Sequence, residues 1–214
     1  MTALVEPSAS AGWRPLAELG AILLAYEAAE GLLAREAAAW ASLGEVGLAE
    51  RALFGALGDE ALERATAWRA LAEDLAGPLL GSAEAALAPL VAALATDLRM
   101  LEPTVEVRLA VVARAYLPRL ATAYRVHRAT AWSIAEGPVT RQLGRVLPAL
   151  VSVSEEAEGL LENWCMADGP RLADAMRALA TLEERASLAR LLSRGQAGRG
   201  SAGGSEGLLT APLH

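Results

Sequence analysis

Three joints of one kind divide the chain: "LAGPLL" (75–80), "AEGPVT" (135–140) and "ADGPRL" (167–172). In each, a run rich in helix formers meets glycine and then proline. Glycine can close a helix in the left-handed C-cap conformation, and proline opens the next one where its missing N–H costs nothing. The stretches between joints carry apolar residues at helical spacing, which predicts helices at about 14–43, 46–76, 82–98, 103–136, 138–166 and 170–194. Within the second run, Gly58-Asp59 opens "GDEALERA" with acids in its first turn and marks a further candidate start. Helices of this length joined by short connections pack as antiparallel neighbours.

The composition agrees. Hydrophobic residues make up 54% of the 214, but the excess is alanine and leucine, with one phenylalanine and three tyrosines. An all-α fold follows, and the length suits one domain over 1–194 better than two. The 103–136 run shows the pattern best: Leu109, Val112, Tyr116, Leu120, Ala123, His127 and Ala131 form one stripe. Arg108 and Arg119 flank it, while Arg114, Arg125 and Arg128 fall on the far side. Pro118 and Pro148 lie inside their runs and predict a kink or break about one turn earlier.

Mean hydropathy is +0.30, which raises the question of a membrane. No window reaches the ~18 charge-free apolar residues of a spanning helix. "AALAPLVAALAT" (85–96), bounded by Glu84 and Asp97 and interrupted by Pro89, reads as a buried helix. The N-terminus carries Glu6 and Pro7 where a signal peptide needs a basic start and an apolar run, so a cytoplasmic location is expected. Cys165 is the only cysteine, which excludes an internal disulfide or a cysteine metal cluster and predicts a small core residue. Acids rather than bases surround it, against a nucleophilic role. A net charge of −7 and a pI near 5.0 argue against general affinity for nucleic acid or anionic membranes. Every basic side chain is arginine, a bias of high-GC bacterial genomes that carries no mechanism.

After Arg194 the text becomes "GQAGRGSAGGSEG", a Gly/Ser linker whose composition predicts a disordered tail over 195–214. The apolar peptide from Leu208 to His214 ends it, either a frayed terminus or a docking motif for a protein partner.

The segment 122–161 resembles the second helical pair of the ferritin-like superfamily. It carries Glu136-Gly137-Pro138 at the joint, then Thr140-Arg141, Leu143 and Gly159; "ERATAWRALAEDL" (63–75) is similar to the earlier ligand-bearing helix. The resemblance implies an antiparallel bundle, here with an additional C-terminal helix. It also implies a di-iron or di-manganese centre built from one Glu on each of two helices and Glu-x-x-His on each of the other two. The motifs that hold such metals are missing. Ser152 and Glu155 stand at the place of one Glu-x-x-His, "ATAW" (65–68) offers no ligand at the other, and His127 and His214 are the only histidines.

Tyr124 rather than Glu lies three residues before His127, whose place in the stripe predicts a core histidine with its ring nitrogens satisfied by a Glu or a backbone carbonyl. The functional alternative is a small-ligand pocket around Tyr124 and His127, with Glu155 and Glu158 as companions. Glu27 and Glu30, and Glu155, Glu158 and Glu162, keep helical spacing that a carboxylate-only Mg²⁺ or Mn²⁺ site would use. Solvated faces and ion pairs with arginines explain the same spacing. One class of relatives hydroxylates modified tRNA, and residues 103–150 hold seven arginines against two acids. Those arginines occupy at least two faces without interleaved aromatics, so pairing with acidic helices is expected and nucleic-acid binding is not.

The expectation is therefore a ferritin-like bundle without metal or cofactor that acts by binding or assembly, as a homodimer. Tyr26, Trp40, Trp68, Trp132 and Trp164 are its candidate core or interface anchors. An oxidoreductase or hydroxylase with a carboxylate-rich di-iron or di-manganese centre is the alternative.

Overall fold

Each Gly-Pro joint falls at a helix boundary, but by a different device from the one expected. In the computed structural model, which describes residues 14–44, 46–101, 104–132, 135–167 and 169–194, no described glycine has a positive φ. Gly137 and Gly169 are instead the first residues of the helices that follow, and Gly77 opens a 3₁₀ turn. The 195–214 tail, its apolar peptide and the side chain of Cys165 lie outside the described residues.

The helices are α1 (Leu16–Ala41), α2 (Leu48–Ala76), α3 (Leu80–Arg99), α4 (Val105–Ala110), α5 (Leu117–Thr130), α6 (Gly137–Ala167), α7 (Gly169–Arg185) and α8 (Ser187–Arg194). No strand occurs among the described residues. The all-α expectation holds, with local departures that have physical causes. α2 runs through Gly58 without a break, because that glycine brings α2 close to α1: a Cβ there would lie 3.4 Å from the Ala34 carbonyl oxygen. The last run divides at Ala186, the one described non-glycine residue with positive φ (51°), which turns Leu188, Leu191 and Leu192 into the core.

Pro118 does not break its helix. α4 and α5 are joined without interruption by a π-helical segment, Val111–Tyr116, directly before the proline. Proline lacks the N–H that would bond four residues back, and its ring crowds that carbonyl; a wider turn relieves both. The departure from a regular α-helix at the place where a kink or break was expected is this π-helical segment.

Directions follow from pairs of contacts. Gly20 meets Ala76 and Arg64 meets Glu30, so α1 and α2 are antiparallel. Arg108 lies against Trp40 while Tyr26 meets Ala123, so the α4–α5 run is antiparallel to α1. His127 meets Glu136 just before α6 while Arg114 meets Glu158 further along it, and Arg64 lies beside Gln142 and Val146 while Glu50 meets Trp164, so α6 opposes both the α4–α5 run and α2. α1 and α6 therefore point one way, and α2 and the α4–α5 run the other. α3 is the crossover that carries the chain from the end of α2 back along α1, with Gly20 at Leu80 and Leu24 near Leu87. Arg108 closes it, donating to the carbonyls of Leu98 (3.1 Å) and Leu101 (3.3 Å) and stacking over Trp40.

Leucine and alanine fill the centre, with Trp68, Tyr26, Tyr116, Tyr124 and Phe54 as its largest fully buried side chains. Each such side chain contributes ~1.5–3 kcal/mol of apolar burial. The 85–96 stretch departs from expectation: only Leu87 and Leu94 in it are buried, because α3 covers the bundle with one face and no described residue covers the other. The run Leu48–Arg99 contains a window of mean hydropathy 1.6 that is 17% buried, and among the described residues it is the one helix long and apolar enough to cross a membrane.

Candidate functional site

Three helices each bring a polar interruption to the bundle centre. The inward stripe of α1 is Leu19, Leu23, Tyr26, Glu30, Leu33, Ala37 and Trp40, all buried, with one acid among apolar residues. That of α2 is Leu57, Ala61, Arg64, Trp68 and Ala72, with one base. α5 contributes Leu117, Leu120, Tyr124 and His127. Steps of three and four keep each set on one face, so the polar groups meet by the same periodicity that builds the core.

Glu30 is fully buried, and its Oε1 accepts from Arg64 Nε at 2.9 Å and from the Tyr124 hydroxyl at 2.8 Å. Trp68 Nε1, which can only donate, gives its hydrogen to the same Tyr124 oxygen at 2.8 Å. That fixes the direction of the chain: indole to phenol, phenol to carboxylate. Arg64 also reaches Glu60 at 3.2 Å on the half-exposed side. Glu30 Oε2 and Arg64 Nη2 are buried without a hydrogen-bond partner. Burial raises the Glu30 carboxyl above its ordinary range, and Arg64 and Tyr124 only partly offset this. Burial likewise pushes the Tyr124 phenol well above its ordinary value, with Glu30 adding to it, so Tyr124 stays a hydrogen-bond donor.

A second set begins one turn away. Tyr26 packs edge-on against Tyr124 with ring centroids 4.7 Å apart and lies 5.5 Å from Trp68. Its hydroxyl is 3.2 Å from His127 Nδ1 and 3.4 Å from the Ala123 carbonyl. His127 Nε2 lies 2.8 Å from Glu136 Oε2, which also accepts from Arg14 Nη1 at 2.8 Å; Glu136 Oε1 takes the Trp132 N–H at 3.1 Å. Burial alone would raise the Glu136 carboxyl. The hydrogen bond to His127, the Trp132 N–H and the Arg14 charge outweigh it and hold Glu136 below its ordinary value. An ionised Glu136 accepts the hydrogen of His127 Nε2, and Nδ1 faces the Tyr26 hydroxyl.

His127 thus has the surroundings the sequence predicts for a core histidine, with Glu136 as the acid. Tyr124 and His127 belong to one buried cluster, but Glu155 and Glu158 do not join it. Glu155 is exposed, and Glu158 pairs with Arg114, whose Nε lies 3.0 Å from both carboxylate oxygens and whose Nη2 also contacts Oε1. α6 directs Ala157 and Leu161 inward at that level, which turns these acids outward. Ser152 and Glu162 are exposed as well. Among the described residues, no group of three or more His, Cys, Asp or Glu converges on a point that would hold a metal ion. Arg114 and Arg119 pair with Glu158 and Glu183, the intramolecular role expected for arginines of this segment.

Sequence reasoning missed Glu30 and Arg64 as a pair. The signal was present: one acid and one base, each inside an otherwise apolar stripe. It also missed two open grooves that share Glu27, Gly31, Arg35 and Arg69, one of about 610 Å³ between α1 and α2 and one of about 450 Å³ between α1 and α3. Burial raises the Glu27 carboxyl at their meeting point, partly offset by Arg69. No family model, curated protein or solved structure matches the chain.

Proposed function

We propose that this chain is a ferritin-like bundle without a metal centre, working by binding or assembly as a homodimer rather than by catalysis. The connectivity supports the fold reading: two antiparallel pairs joined by one long crossover is the arrangement of ferritin-like bundles. One observation carries the functional reading. The cation that meets the buried carboxylate of α1 is the guanidinium of Arg64, at 2.9 Å, and Tyr124 and Trp68 complete its surroundings. The Glu30 carboxylate meets an arginine and a phenol and the His127 imidazole meets Glu136 and Tyr26, and among the described residues no group of three or more His, Cys, Asp or Glu could hold a metal ion. A buried polar chain of this kind ties α1, α2 and α5 together at one level and so favours one register of the three helices.

The test is metal analysis of protein produced in medium supplemented with iron and manganese. Substoichiometric metal is the expected result. About two ions per chain would overturn the reading in favour of the oxidoreductase or hydroxylase alternative.

A further inference from the structure

The outward face of α3 has no cover in the described chain. Leu80, Leu87, Leu94 and Leu98 are buried, while Ala85, Ala88, Pro89 and Ala92 on the opposite side are exposed. Leu79, 47% exposed, and Met100, 67% exposed, extend this surface past the two ends of the helix. Between Asp74 and Asp97 the only charged residue is Glu84. A continuous apolar surface on a helix this long marks an interaction site. The groove between α1 and α3 runs beside it, with Leu24 and Val91 in its walls.

We infer that this face is a two-fold interface with a second copy of the chain, α3 lying antiparallel to the same helix of the partner. The inference rests on the assembly reading above and names its surface. The distribution of charge selects the occupant. Glu84 and Arg99 sit near opposite ends of α3, at nearly equal distance along the helix from Ala92. An antiparallel pair crossing at Ala92 sets each Glu84 against the partner's Arg99, twice by symmetry, and opposes the two helix dipoles. Parallel pairing would set like charges together. Glu84 already accepts from Arg69 at 2.6 Å within its own chain, so the contact would extend an existing ion pair. Side chains no larger than alanine at 85, 88 and 92 let the two backbones approach closely. A helix of 20 residues is ~30 Å long, and with the adjoining walls of α1 and α2 it offers the span of a standard interface of ~800 Å² per partner. A membrane surface would instead call for a cluster of basic residues flanking the apolar face, where this helix carries Arg99 alone beside Glu84 and Asp97.

The experiment is sedimentation equilibrium on the full chain. The wild type is expected to be a dimer, and Ala92→Glu, which sets two carboxylates together at the axis, to raise the dissociation constant roughly 100-fold with an unchanged helical circular-dichroism spectrum. Glu84→Arg should weaken the dimer roughly tenfold, and Glu84→Arg with Arg99→Glu should restore it to within about threefold, which a merely unstable variant would not do. A monomeric wild type overturns the interface, whatever the metal analysis gives. A dimer indifferent to Ala92→Glu keeps assembly but moves it to another face, which also overturns this assignment. Co-sedimentation with phosphatidylcholine–phosphatidylglycerol vesicles that Ala92→Glu abolishes would overturn it in favour of a lipid surface.

Discussion

Arg64 and Glu30 form an ion pair at 2.9 Å in which the carboxylate is fully buried and the guanidinium nearly so. Removing one member of such a pair leaves an uncompensated charge, whereas replacing both by apolar groups of similar volume is close to neutral. Arg64→Met should therefore cost about 3–5 kcal/mol, and Arg64→Met with Glu30→Met much less than the sum of the two single changes. Tyr124→Phe should cost about 1–3 kcal/mol by leaving the Trp68 N–H and a Glu30 lone pair without their partner. Urea unfolding monitored by tryptophan fluorescence measures all four variants. Wild-type stability in Arg64→Met would mean the pair does not organise the core.

The Glu136 carboxyl is held below its ordinary value of 4.5, after burial is outweighed by His127, Trp132 and Arg14. Its charge therefore stabilises the folded chain fully above the unfolded value, and that stability is lost as pH falls through the folded value. Glu136→Gln should be less stable than the wild type at neutral pH, and the gap should close on acidification below 4.5. Glu30 has the opposite sign: its raised value means that its charge costs stability at neutral pH, with relief as pH falls through the folded value. Melting temperatures of wild type and Glu136→Gln between pH 3 and 7 check the first statement. A constant gap across that range would contradict it.

Glycines in these helices are not equivalent. A Cβ on Gly20 would lie 2.8 Å from the Ala76 Cβ and 2.9 Å from Leu80 Cδ2, where α1 meets the α2–α3 corner. Gly20→Ala should lower stability by about 1–3 kcal/mol despite alanine's higher helix propensity. Gly55 and Gly144 have open space at the same position, so alanine there should raise stability by up to ~1 kcal/mol. Thermal melts of the three single variants separate the cases, and a stabilising Gly20→Ala would show that the corner is loosely packed.

The long helical runs and the boundaries at the Gly-Pro joints were legible because Ala, Leu and those joints act locally; the divisions at Val111–Tyr116 and at Ala186, which make eight helices of six expected runs, were not. His127 was legible as a core residue for the same reason, since its spacing from Leu120 and Ala123 places it in the stripe. The connection after Thr130 was not, because that helix ends where Glu136 takes the Trp132 N–H and binds His127 and Arg14 at once. That convergence includes Arg14, which lies 122 residues from Glu136 in the chain. Glu30 and Arg64 were visible singly as stripe interruptions, but their pairing depends on the register of α1 against α2, which the closeness of Gly58 to Ala34 helps to set. Burial of 85–96 was misjudged because apolar composition reports the tendency to be covered and not what covers it.

The π-helical segment before Pro118 divides one helix into two angular settings. On its N-terminal side Arg108 is aimed at the end of α3 and at Trp40; on its C-terminal side Tyr124 and His127 are aimed at Glu30 and Tyr26. A uniform α-helix through the same positions would rotate one half relative to the other and could not serve both targets. The proline thus behaves as a phase shifter, and the length of the stretch from Val111 to Tyr116 is as much a specification of the interior as the identity of any side chain in it.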